Sequence, residues 1–267
     1  MKNSLQVGDK GADVKALQQA LLEHGFNPGA IDGEFGAGVE AAVVAFQNSS
    51  GLLADGVAGA RTLMAIGLAA DDTLPDATGD LSVQIASRMC PGAPLANIKA
   101  HLPVVMQSLR DHGLHDRKMA LMAVATIRAE TEPFAPLNEG QSRFNTSPSG
   151  HPFDLYDQRA DLGNRGAPDG ADFRGRGFVQ LTGRNNYAKY GPRLQPPIDL
   201  VANPERANEP GVAADLLTMF LGDRELQIKD ALMHGNFQAA RRLVNGGTNG
   251  LDRFTEAYQT GDSLMPT

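Results

Sequence analysis

The chain has 267 residues, 42% of them hydrophobic and 21% charged, which is enough apolar material for about two packed domains and excludes wholesale disorder. A single cysteine, Cys90, excludes an internal disulfide framework and multi-cysteine zinc sites, and a formal net charge of −7 argues against general nucleic-acid binding. The charge is uneven: residues 1–80 carry 4 basic and 11 acidic side chains, whereas residues 81–267 carry 20 of each, so a boundary is expected near residue 80.

The opening stretch, MKNSLQVGDKGADV, lacks the apolar segment of a signal peptide, and no run of about 18 apolar residues follows. Synthesis in the cytoplasm without membrane insertion is the expectation. Residues 1–68 read as a small helical domain. Val14, Leu17, Leu21 and Leu22 have helical spacing, Val39 to Phe46 gives a second amphipathic run, and Arg61 to Leu68 a third. A weak internal repeat lies between them: Ile31-Asp32-Gly33-Glu34-Phe35-Gly36 is echoed by Ala54-Asp55-Gly56-Val57-Ala58-Gly59. Each copy reads as a tight Asp-Gly turn leading into a helix.

Residues 69–80, AADDTLPDATGD, read as a linker, and residues 81–267 as a second, mainly helical domain. Helices are expected over Leu81–Met89 and Leu95–Leu109. The nearly continuous apolar run from Lys118 to Ala129 predicts a helix buried on most sides and stopped before Pro133 and Pro136. Residues 138–177, rich in Gly, Asn, Ser, Pro and Asp, read as a long functional loop region with at most a small β-hairpin. Further helices are expected over Val212–Leu221, Ile228–His234 and Phe237–Val244. Cys90 reads as a small packed side chain.

Glu130 closes the apolar helix. Apolar surroundings and the negative end of the helix dipole both favour its protonated form, which is what a general acid in glycoside hydrolysis requires. Glu139, nine residues on, could face it across a cleft and serve as the second carboxylate, with Glu132 and Asp157 as rivals. The Arg/Gly/amide-rich segment Phe173–Tyr187 suits a hydroxyl-rich ligand, and a polyanionic glycan is admissible because Arg reads carboxylates. His112 and His115 flank Gly113 and show no HExxH pattern, so a zinc peptidase is a weaker reading.

Taken together these residues resemble glycoside hydrolase family 19, in its chitinase-like lysozyme branch found in phage endolysins. The resemblance rests on Ala129-Glu130-Thr131, on Glu130, Phe134, Leu137 and Glu139 in the pattern E-x3-F-x2-L-x-E, and on the tract Tyr156–Asn164. It rests also on Gly175-Arg176-Gly177-Phe178-Val179-Gln180-Leu181-Thr182 and on Val244-Asn245-Gly246-Gly247. It implies a lysozyme-like α-helical catalytic domain with Glu130 as general acid, Glu139 assisting the water and Thr182 holding it. Gln180, Asn186, Asn245, Asp157 and Arg176 would bind substrate. Two positions depart from the family pattern: Ala129 replaces its His, and Asp157 replaces a Glu.

The N-terminal segment resembles the three-helix type of peptidoglycan-binding domain, with Asp32, Gly33 and Phe35 as candidate contacts. The joint implication is a monomeric endolysin that hydrolyses peptidoglycan glycan strands, a lysozyme or muramidase needing no metal or organic cofactor. It would act on the wall in the periplasm once the membrane is permeabilised, and lyse the host. A chitinase is the second enzyme reading; a wall-binding protein with a decayed hydrolase domain is the non-enzymatic one.

Overall fold

The computed structural model describes residues 4–50, 52, 54–68 and 75–266. The described residues are mainly helical, and their only β-structure is three isolated antiparallel bridges, Leu5 with Ala58, Lys10 with Glu34 and Arg176 with Leu181. The expected hairpin is thus reduced to the last of these bridges. Thirteen α-helices are described: α1 (Ala12–Glu23), α2 (Ala37–Ser49), α3 (Ala60–Ala65), α4 (Val83–Met89), α5 (Leu95–Asp111), α6 (Arg117–Glu130), α7 (Asp154–Asp157), α8 (Asp169–Asp172), α9 (Arg184–Tyr190), α10 (Pro210–Gly222), α11 (Glu225–Met233), α12 (Phe237–Asn245) and α13 (Leu251–Leu264). None is long and apolar enough to cross a membrane. Of the expected linker, residues 69–74 lie outside the described residues.

The chain divides into two compact units. One comprises Met1–Leu74 and Arg224–Leu243, the other Pro75–Asp223 and Val244–Thr267. Residues 224–243, expected in the second domain, therefore group with the N-terminal segment.

The first unit is built on Leu5, Val14, Leu17, Leu21, Phe35, Val39, Val43, Phe46 and Leu63, all at most 3% exposed. Its internal repeat is a repeat of hydrogen bonds. Gln18 Nε2 donates to Asp32 Oδ1 (2.9 Å), Asp32 Oδ1 also accepts from Glu34 N (2.9 Å), and Gly33 N donates to Gln18 Oε1 (2.8 Å). Gln47 does the same for the second copy: its Nε2 reaches Asp55 Oδ1 at 3.1 Å, Val57 N donates to that oxygen at 3.0 Å, and Gly56 N donates to Gln47 Oε1 at 3.0 Å. Each buried glutamine thus locks one Asp-Gly turn against the helix it comes from. The glycines at the turns have φ of +82° and +78°, as the turn chemistry requires.

The second unit is organised around α6. Asp116 caps it, its Oδ1 accepting from Lys118 N and Met119 N. Every residue from Met119 to Ile127 is buried, and α4, α5, α10 and α13 pack around it, so the unbroken apolar run is a central helix. The helix ends at Glu130, where Thr131 N closes onto Ile127 O (2.7 Å). Phe134 then reverses the chain with φ of +53°; its ring, fully buried, meets Phe178 with centroids 6.3 Å apart. That contact draws the end of α6 and the segment 175–182 together. Cys90 is buried, and burial pushes its thiol up to about 12, which makes it a packing residue rather than a nucleophile.

Candidate active site

Glu139 is held by three hydrogen-bond donors. Its Oε1 accepts from Asn145 Nδ2 and from the Tyr156 hydroxyl, both at 2.9 Å, and its Oε2 accepts from Gly175 N at 3.0 Å. The backbone closes the same pair from the other side, with Glu139 N donating to Gly175 O at 2.7 Å. Burial, reinforced by the Glu139 charge, pushes the Tyr156 hydroxyl up to about 12, so it stays a proton donor at neutral pH.

A side chain at Gly175 would crowd the Glu139 carboxylate and the Gln180 amide. A Cβ there would lie 2.8 Å from Gln180 Oε1 and 3.2 Å from Glu139 Cβ and Oε2. Gln180, itself at φ +51°, donates through Nε2 to Leu137 O and Gly177 O, both at 3.0 Å. Thr182 Oγ1 donates to Gln180 O (2.9 Å), and Asn186 Nδ2 donates to Thr182 O (2.7 Å). Gln180, Thr182 and Asn186 therefore form one connected chain, tied through Gln180 to the Leu137 carbonyl two residues before Glu139. Glu130, partly exposed at the last turn of α6, precedes the Phe134 reversal that leads to Glu139.

Three expected ligand contacts have other work. Arg176 is 4% exposed; its Nη1 donates to Asp172 O and to the Tyr187 hydroxyl (2.9 Å), so it braces the segment from within. Asp157 is 5% exposed, accepts from Gly170 N at 2.8 Å through Oδ1, and has His151 Nε2 3.0 Å from Oδ2, which ties residues 151–170 together rather than facing a water. Asn245 shapes its own turn, donating to Asn249 O and accepting from Gly247 N, both at 3.0 Å. Sequence reading missed Asn145, which is fully buried in a stretch with no periodic signal. It also passed over Tyr156 as anything but part of a tract.

Two arginines flank this site. The Arg184 guanidinium, followed by a backbone bond from Arg165, holds the Asp169 carboxyl below its ordinary range and pins residues 165–184 together. Burial and the neighbouring Arg176 lower Arg174, against Tyr187, Asp172 and, least, Glu139, which raise it.

In the first unit, Phe35 is 2% exposed and Gly33 is buried, so neither offers a face to a ligand. Asp32 stands at the surface beside a cavity of about 200 Å³ lined by Gln18, Pro28, Ala30, Glu34 and Val39. Hydrogen bonds from Gln18 and Glu34 hold its carboxyl below the usual range. Among the described residues one trio brings metal-type donors together, Asp55, Asp230 and His234, with ligand atoms within 4.8 Å of one another. His112 is not part of it: it sits after α5 with Nδ1 2.9 Å from Ser108 O.

Residues 10–66 match the family described as "Putative peptidoglycan binding domain". A glycosyl hydrolase family 19 domain-containing protein of Haemophilus influenzae is 29% identical over 122 residues, 42% of this chain and 51% of that protein. A spore cortex-lytic enzyme of Bacillus cereus is 47% identical over 58 residues, 22% of each chain. The chain thus spans about half or less of the length of these relatives. Chitinase C of Streptomyces griseus superposes with a TM-score of 0.47 at 19% identity, covering 70% of this chain and 79% of that one. The chain thus joins a segment that matches the putative peptidoglycan-binding family to a region similar to a family 19 glycoside hydrolase relative.

Proposed function

We propose that the protein is an endolysin-type glycosidase that cleaves the glycan strands of bacterial peptidoglycan by general acid–base catalysis, with Glu130 as acid and Glu139 as base. The observation that carries this reading is the anchoring of Glu139. Three donors fix its orientation, and Oε2 accepts only one hydrogen bond among the described residues, which leaves it a lone pair for a water. The Thr182 hydroxyl spends its proton on Gln180 O, so toward a water it acts as acceptor. A water between the two would give one hydrogen to each and aim its oxygen at the anomeric carbon. Glu130 donates its proton to the glycosidic oxygen as the C–O bond breaks, and Glu139 takes the proton of the attacking water. A water placed by a base opposite the acid gives inversion at the anomeric carbon.

Gln180 and Asn186 are assigned to the glycan groove, and Asp32, beside its cavity, to murein contact in the binding module. That module would hold the enzyme on its insoluble substrate and raise the local concentration of cleavable bonds. No step calls for a metal. The match of residues 10–66 and the family 19 relative support a murein-directed glycosidase. Clearing of purified peptidoglycan tests it, with chitin as the parallel substrate. Clearing that disappears in Glu130→Gln, with chitin left intact, is the expected result. Cleavage of chitin alone would make the protein a chitinase, and clearing unaffected by Glu130→Gln would remove Glu130 from the chemistry.

A further inference from the structure

Glu139 is held by two dipeptides of the same construction, Phe144-Asn145 and Leu155-Tyr156. In each, the second residue turns inward to Glu139 Oε1 at 2.9 Å. In each, the first turns outward: Phe144 is 75% exposed and Leu155 45%. A backbone bond from Leu155 N to Asn145 O (3.3 Å) joins the two segments. Phe144 is the most exposed large apolar side chain among the described residues, yet its backbone is not loose. Ser142 N donates to Asn145 Oδ1 (2.8 Å), Asn145 N donates to Ser142 O (3.2 Å), and Phe144 N donates to Ser142 Oγ (3.3 Å). The Arg143 guanidinium lies 4.9 Å from the centre of the Phe144 ring. The hydrogen bond from Asn145, together with one Cα–Cα step, limits Phe144 Cα to about 10 Å from the Glu139 carboxylate.

We propose that Phe144 and Leu155 form a shelf on which a hexosamine ring of the glycan lies beside Glu139, so that the bonds orienting the base also orient a sugar-binding subsite. The proposal rests on the glycosidase reading. An aromatic face is a fit for the C–H face of a pyranose, because ring faces carry negative potential and those hydrogens are weakly positive. Hydroxyls and N-acetyl groups at the sugar's rim remain solvated. A large apolar ring left in water on a segment whose backbone is fastened to the Glu139 anchor is otherwise unexplained by packing.

The test is steady-state kinetics of the full chain on purified peptidoglycan, with Phe144→Ala, Phe144→Tyr, Leu155→Ala and Glu130→Gln in parallel and melting curves for each. Covering roughly 50–60 Å² of ring corresponds to about tenfold in affinity. Phe144→Ala is expected to raise KM about tenfold with kcat nearly unchanged and the melting temperature unaltered. Phe144→Tyr should restore KM, and Leu155→Ala should raise it by about twofold to threefold. An unchanged KM in Phe144→Ala, with Glu130→Gln inactive, overturns the shelf and leaves the glycosidase reading standing. Full activity in Glu130→Gln overturns the glycosidase reading itself. A rise in KM that Phe144→Tyr does not rescue, accompanied by a lower melting temperature, makes the residue structural and also overturns the shelf.

Discussion

Gly175→Ala probes the anchoring of Glu139 through three distances. The new Cβ would stand 2.8 Å from Gln180 Oε1 and 3.2 Å from both Glu139 Cβ and Oε2, against ordinary contacts of 3.4 Å or more. Backbone torsion is no obstacle, since Gly175 is not among the positive-φ glycines. Relieving the clash moves the Gln180 amide by roughly 0.6 Å and the Glu139 side chain by a few tenths of an ångström, and stretches the 3.0 Å bond from Gly175 N toward the limit of a hydrogen bond. A bond to a charged acceptor contributes about 1.5–3 kcal/mol. An ångström of misplacement costs on the order of 10²-fold in rate, so half of that costs about tenfold. The expected outcome is a fall in kcat of about 10- to 100-fold with KM within about twofold, read as the initial rate of peptidoglycan clearing. Gly140→Ala is the control, because a Cβ there meets nothing within 4 Å on the same loop. Equal rates for both variants, or equal losses, would refute the reasoning.

Other outcomes follow from the same contacts. Tyr156→Phe removes one bond to the Glu139 carboxylate and should lower kcat about tenfold while shifting the melting temperature by only a few degrees; a larger rate loss with unfolding would mean that the hydroxyl serves the fold instead. Gln47→Ala strips the buried amide that locks the second Asp-Gly turn, and should cost the first unit about 3 kcal/mol and weaken sedimentation with murein, measured by urea unfolding and pull-down. Asp169, held below its ordinary range by Arg184, lends stability that is complete above the carboxylate's usual pKa and lost as pH falls through its lower folded value. Acid unfolding should therefore begin at higher pH in Arg184→Gln than in the native chain, and coincident acid transitions would contradict this.

Much of the scaffold was legible because its signals are local. The run Met119–Ile127 has no polar face, so it could only be a helix enclosed by others, and α6 is that helix. The two Asp-Gly copies announced paired turns, although only the structure shows Gln18 and Gln47 as their common lock. What stayed hidden depends on distant partners. The bond from Gly175 N to Glu139 spans 36 residues, and Asn145 sits in a stretch where neither helical nor strand periodicity applies. Motif residues also mislead when they brace rather than bind: Arg176 and Phe35 belong to recognisable tracts yet are buried. The grouping of residues 224–243 with the N-terminal segment was illegible for another reason. An amphipathic helix shows that it packs, not what it packs against.

The central claim is that this chain breaks a sugar–sugar bond with Glu130 as proton donor. Mass spectrometry of fragments released from purified murein tests it most directly. The account predicts new reducing-end saccharides from the native chain and none from Glu130→Gln at equal folding. Fragments cut only in the peptide stems, or identical reducing ends from the variant, would contradict it.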